Sequence, residues 1–144
     1  MTQLTAAIIA ALVSLLVVFF TSDTETIKHF RALRTAAYVD FIRGIAGLAI
    51  LQKRGIESEQ EYAREEEMNI LVADAKARIA IYGGELVVSS LAKFMRGGAV
   101  LDTPERIQEF TKVCQKMRND RSHKIGSAAD DDVQFLLFGS ATKG

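Results

Sequence analysis

The residues best suited to chemistry in this chain are few and far apart. Its two histidines, His29 and His123, are 94 positions apart, and its single cysteine is Cys114. A metal centre needs imidazoles, thiolates or carboxylates converging at ligand spacing, which these three do not offer. Asp130, Asp131 and Asp132 are consecutive and suit a solvated helix start better than a cation cage. The glutamates between Glu57 and Glu67 point around a helix rather than together, and their charge favours a helix N-terminus. Gly83-Gly84 lacks the preceding strand and following Lys-Ser/Thr of a phosphate-cradling loop; a nucleophile elbow and a dinucleotide fingerprint are also missing. His29, four residues after Glu25, reads as a paired surface histidine. The sequence therefore points to no catalytic, cofactor-binding or metal-ligating residue, and the expectation is a non-catalytic protein.

Cationic side chains are the next candidates. Lys28, Arg31 and Arg34 form one group, and Lys112, Lys116 and Arg118 belong to a locally basic helix. With 18 basic and 18 acidic residues the chain has zero formal net charge, so no global field draws in nucleic acid. Groove reading also needs exposed base-reading side chains, whereas this basic helix carries an apolar stripe better explained by packing. Contact with anionic lipid headgroups or with an acidic protein face is the expected use of these six charges.

What would bring them to a headgroup is the uncharged opening, Met1 to Ser22. From Leu4 to Phe20 it reads LTAAIIAALVSLLVVFF, and a helix over the opening reaches roughly 30 Å, the thickness of a hydrocarbon core. A soluble chain of this size has little with which to surround a helix apolar on every side. Bulky Val17, Val18, Phe19 and Phe20 stand where a signal-peptide cleavage site needs small residues, and no Lys or Arg precedes the run. The expectation is an uncleaved single-pass anchor in the cell (inner) membrane. With Lys28, Arg31 and Arg34 following it, the positive-inside bias places the N-terminus outside and the body in the cytoplasm. Ala6, Ala10 and Ser14 recur at four-residue spacing, a register in which two membrane helices can approach closely and self-associate.

The remaining residues read as helices. Ser22 to Glu25 has the form of a capping box that could restart the helix, yet no proline or glycine forces a break there. Ile27, Phe30, Ala37, Phe41, Ile45 and Leu48 make an apolar stripe, Gly44 and Gly47 suggest close packing with a neighbour, and Gly55 ends the helix. A second capping box, Ser58 to Glu61, opens a helix to about Tyr82. Its two apolar stripes, Met68-Leu71-Val72-Ala75-Ile79-Tyr82 and Ile70-Ala73-Ala77-Ile81, suggest neighbours on two sides, with Asp74 and Arg78 paired on a remaining face.

Glycine pairs bracket Glu85 to Arg96, with Val87, Leu91, Phe94 and Met95 inward. Thr103-Pro104-Glu105 starts a helix to about Arg121 whose stripe is Ile107, Phe110, Cys114 and Met117, so Cys114 reads as a small core residue. One cysteine excludes an internal disulfide framework and fits a reducing compartment. Ser127 could cap a last helix, Asp131 to Phe138, too apolar to float freely. The fold expected is all-α: a transmembrane helix over residues 1–22, an antiparallel bundle of about four helices over 23–126, and a short helix and tail over 127–144. The function expected is a membrane-tethered scaffold that binds a protein partner or a second copy. The alternative is a small membrane-active protein oligomerising through its span.

Overall fold

The computed structural model describes the backbone of residues 2–120 and 128–139, and the side chains of residues 7–18, 24–120, 128–133 and 135–139. All regular structure among these residues is helical: α1 (Thr2–Arg54), α2 (Glu59–Tyr82), α3 (Glu85–Arg96), α4 (Pro104–Arg118) and α5 (Asp130–Phe138). Two compact units divide the chain, Met1–Ala32 and Leu33–Gly144. The second unit begins at Leu33 and includes α5.

In the first unit the helix passes Ser22 without a break, because the possible capping box has nothing to oppose continued helical bonding. Ile8, Ile9, Leu12, Val13, Leu15, Leu16, Val17 and Val18 are all more than half exposed. Consecutive residues step about 100° around a helix, so Leu15 to Val18 present apolar surface in every direction. Among the described residues no helix is long and apolar enough to cross a membrane. Of the run Leu4 to Phe20, the described side chains are residues 7–18, about 18 Å of helix against the roughly 30 Å of a hydrocarbon core. Ile27 is 39% exposed and Phe30 is half-buried, so the apolar stripe expected from residue 27 onward is fully buried only in the second unit, from Ala37.

The second unit is built on an antiparallel pair, the C-terminal part of α1 against α2. Four contacts fix the register. Arg34 meets the Tyr82 carbonyl, Asp40 meets Arg78, and the Cα faces of Gly44 and Gly47 meet Val72 and Met68. The two glycines are packing residues, since a Cβ on Gly44 would stand 2.5 Å from Val72 Cγ2. Asp74 and Arg78 pair at 2.7 Å as their spacing suggests, and Arg78 also reaches Asp40 across the hairpin at 2.7 Å. Gly55, at φ +79°, ends α1 in the left-handed conformation that glycine adopts without penalty.

Both halves of the second capping box form. Ser58 Oγ accepts from the Glu61 N–H, and Glu61 accepts from the Ser58 and Glu57 N–H groups. Those bonds hold the Glu61 carboxyl below its ordinary range. At α4 only the first half forms: Thr103 Oγ1 accepts from the Arg106 N–H, with Pro104 at the first helical position.

The core gathers Ala37, Phe41 and Ile45 from α1, Ala75 and Ile79 from α2, Val87, Val88, Leu91, Ala92 and Phe94 from α3, and Val113 and Met117 from α4. Phe94 lies against Phe110 at 5.4 Å between ring centroids, and Phe41 at 6.5 Å, a tilted aromatic cluster at its centre. Helix α5 packs on α2 and α3, docking Leu136 and Val133 on the core while Leu137 and Phe138 stay exposed. Arg96 holds it by a 2.9 Å ion pair to Asp132 and a cation-π contact with Phe135.

Two stripes differ from expectation. Ile70 (63% exposed), Ala73 and Ile81 face outward, so α2 is buried along one face rather than two. On α4 the inward residues are Val113, Met117 and, partly buried, Phe110. Ile107 is half-exposed, and Cys114 sits at the margin of the core, where burial pushes its thiol up from the ordinary value. Helix α4 ends at Arg118 with Asn119 as its C-cap, short of the Arg121 expected, and α5 has Ala129 rather than Ser127 at its N-cap; Arg121 and Ser127 themselves lie outside the described residues.

Candidate functional site

The cationic residues singled out by sequence fall into three places. Lys28 and Arg31 are exposed on α1 in the first unit. Arg34 is inside the second unit, where its side chain and that of Asp120 are 5% and 6% exposed. Its Nε donates to the Tyr82 carbonyl at 2.6 Å and its terminal nitrogen lies 3.4 Å from Asp120 Oδ2. Tyr38, one turn further along α1, donates its hydroxyl to the same carboxylate oxygen at 2.5 Å. The Gly84 N–H, at the start of α3, donates to Tyr38 Oη at 3.1 Å and to Asp120 Oδ2 at 3.2 Å.

This is a closed polar lock joining α1, the α2–α3 junction and the end of α4. Burial, and next the bond to Asp120, push the Tyr38 phenol above its ordinary value, while the Gly84 N–H acts in the opposite sense. Gly84 has an ordinary φ, so its role is space: a Cβ there would lie 2.8 Å from the Asp120 Cγ. Every strong partner of the Arg34 guanidinium shown here is internal, so Arg34 has no exposed charge to offer a headgroup.

Lys112 and Lys116 do come together. At i and i+4 on α4 they line one side of a cavity of about 360 Å³ against α3, which contributes Lys93 and, as its floor, Phe94. The one carboxylate in the lining, Glu109, is paired with Arg106 at 3.3 Å. Three ammoniums, with Ser90 and Gln115 beside them, make an anion-accepting groove suited to a carboxylate or phosphate. Arg118 lies on α4 but not in this lining.

No family model, curated protein or solved structure matches this chain. The site must be read from its own chemistry. Among the described residues no three His, Cys, Asp or Glu side chains gather to hold a metal ion. Lys93 escaped the sequence reading because it joins the groove from another helix. Ala10 and Ser14 are exposed on α1, and the Ala6 side chain lies outside the described residues.

Proposed function

We propose that the protein is a membrane-tethered, non-catalytic interaction module whose helical body recruits an acidic protein partner at the cytoplasmic face. The observation that carries this reading is the all-round exposure of apolar side chains between Ile8 and Val18. A soluble protein rarely leaves so large an apolar surface uncovered, and a partner face covers only one side of a helix. In the sequence the uncharged run continues to Leu4 on one side and Phe20 on the other. Lys28 and Arg31 follow it where the positive-inside bias wants them. The Lys93-Lys112-Lys116 groove supplies a surface for carboxylates.

Two measurements test the reading. The full chain should stay in the membrane pellet after an alkaline carbonate wash, and recovery in the supernatant overturns the tether. Replacing Lys93, Lys112 and Lys116 together by glutamate should remove cross-links between the body and its partner in intact membranes; unchanged cross-links overturn the groove's role. A membrane-active oligomer, the second reading, draws on the exposed Ala10 and Ser14. It requires overexpression to collapse the membrane potential and Ala10→Leu to restore it.

A further inference from the structure

A second groove lies between the C-terminal part of α1 and the first turns of α2, outside the lock and the lysine surface. It encloses about 370 Å³. The lining on α1 follows one stripe through Arg43, Gly47, Ile50, Leu51 and Arg54, and α2 supplies Arg64 and Met68. The lining therefore holds three guanidiniums and no carboxylate. Its floor is apolar, and Ile50 is left 58% exposed on it. Gly47 opens the floor, since the nearest atom to a Cβ there would be the Met68 sulfur at 2.8 Å. Methionine is the side chain best able to reshape itself around a ligand.

The register of the hairpin orders the charges. Gly44 opposite Val72 and Gly47 opposite Met68 place Arg64 level with Leu51, toward the Arg54 end, and Arg43 near Val72. Arg43 and Arg54 thus stand about 16 Å apart along the helix. Arg54 lies close enough to Glu61 to help hold its carboxyl ionised. Glu61 and Glu67 flank Arg64 on its other side, while within the groove's own lining the guanidiniums stand without a carboxylate. A single negative charge followed by a linear apolar body is the complement.

We infer that this groove binds a single-chain acyl carboxylate, its headgroup between Arg54 and Arg64 and its chain along Gly47, Ile50 and Met68. The volume falls within the ~300–1,000 Å³ range of small-molecule sites, which favours one acyl chain over a partner helix. The guanidiniums offer the carboxylate planar, two-point hydrogen bonding.

A photoreactive, diazirine-bearing palmitic acid tests this on the full chain in nanodiscs of neutral phosphatidylcholine. After irradiation and trypsin digestion, adducts are expected on the peptides spanning residues 44–53 and 65–76. Ile50→Glu, a change at an exposed position, should lower them at least tenfold with an unchanged thermal midpoint. Arg64→Gln should lower them about threefold or more, and excess palmitic acid should compete where hexadecanol does not. Adducts confined to residues 4–20 would overturn the inference, as would labelling indifferent to Ile50→Glu or equal competition by hexadecanol. Equal displacement by nanodiscs of anionic diacyl phosphatidylglycerol would overturn it too, by making the ligand a bilayer lipid. None of these outcomes depends on the tether, which the carbonate wash tests by itself.

Discussion

Arg34 and Asp120 are buried and paired with each other at 3.4 Å, so removing one takes a countercharge from the other inside the fold. Arg34→Met should cost about 3–5 kcal/mol, the usual penalty for breaking a buried pair. Urea unfolding of the variant checks this, and Arg34→Met with Asp120→Leu should recover much of the loss. Tyr38 adds a pH dependence whose sign is fixed. Burial raises its folded value above 10, so the unfolded chain ionises first, and the contribution is intact below pH 10 and lost above it. For a phenol that stays neutral in the fold, that loss is about 1.4 kcal/mol by pH 11. Tyr38→Phe should show a correspondingly smaller fall in urea midpoint between pH 8 and pH 11. Arg34 also had a signal in the sequence. Phe30, Arg34, Ala37 and Phe41 follow helical spacing, so the seven-residue step in the apolar stripe is filled by an arginine on the buried face. Its partner could not be read, because Asp120 is 86 positions away.

At the level of the elements, the α1–α2 contact allows a comparison of two glycines. Either one replaced by alanine gains roughly 1 kcal/mol of helix propensity. At Gly44 the new methyl meets β-branched Val72, which has little rotamer freedom. At Gly47 it meets Met68, which can turn away. Overpacking costs about 1–3 kcal/mol, so Gly44→Ala should be net destabilising and Gly47→Ala near neutral, as compared by thermal melts. The helix boundaries were legible because punctuation there is chemical: Gly55, the Ser58 box, Gly83-Gly84, Gly97 and Thr103-Pro104 act through local backbone bonds. The second stripe on α2, and Ile107 and Cys114 within the stripe on α4, were misread for a tertiary reason, whereas Phe110 and Met117 of that stripe do pack on the core. Apolar periodicity shows that a face can be buried, and only the neighbouring helices decide whether it is. Both grooves escaped for the same cause, since each joins side chains from two helices.

On the scale of the whole molecule, the core and the lock lie wholly within Leu33–Gly144. A chain beginning at Thr24 should therefore unfold in one cooperative transition with a midpoint close to that of the full protein. Differential scanning calorimetry checks this, and a broad, uncooperative melt would show that the body depends on the apolar opening. The all-helical class and the order of the helices were readable in advance, because glycine and the capping residues divide the chain with little ambiguity. The second unit's starting point at Leu33 was not. Residues 23–32 have helical patterning like that of the residues after them, and only the position of the packing partners separates the two stretches.

The lock has a consequence for biosynthesis. Ribosomes add about 5–20 residues per second, so Arg34 emerges some 4–17 s before Asp120 exists to meet it. Throughout that interval its guanidinium is a third positive charge, with Lys28 and Arg31, on the flank of the nascent apolar run. Closure of the lock then withdraws it into the fold. On the proposed tether, a charge that helps choose the orientation of insertion would thus be missing from the surface of the mature protein, and Asp120→Asn would weaken the second event while leaving the first untouched.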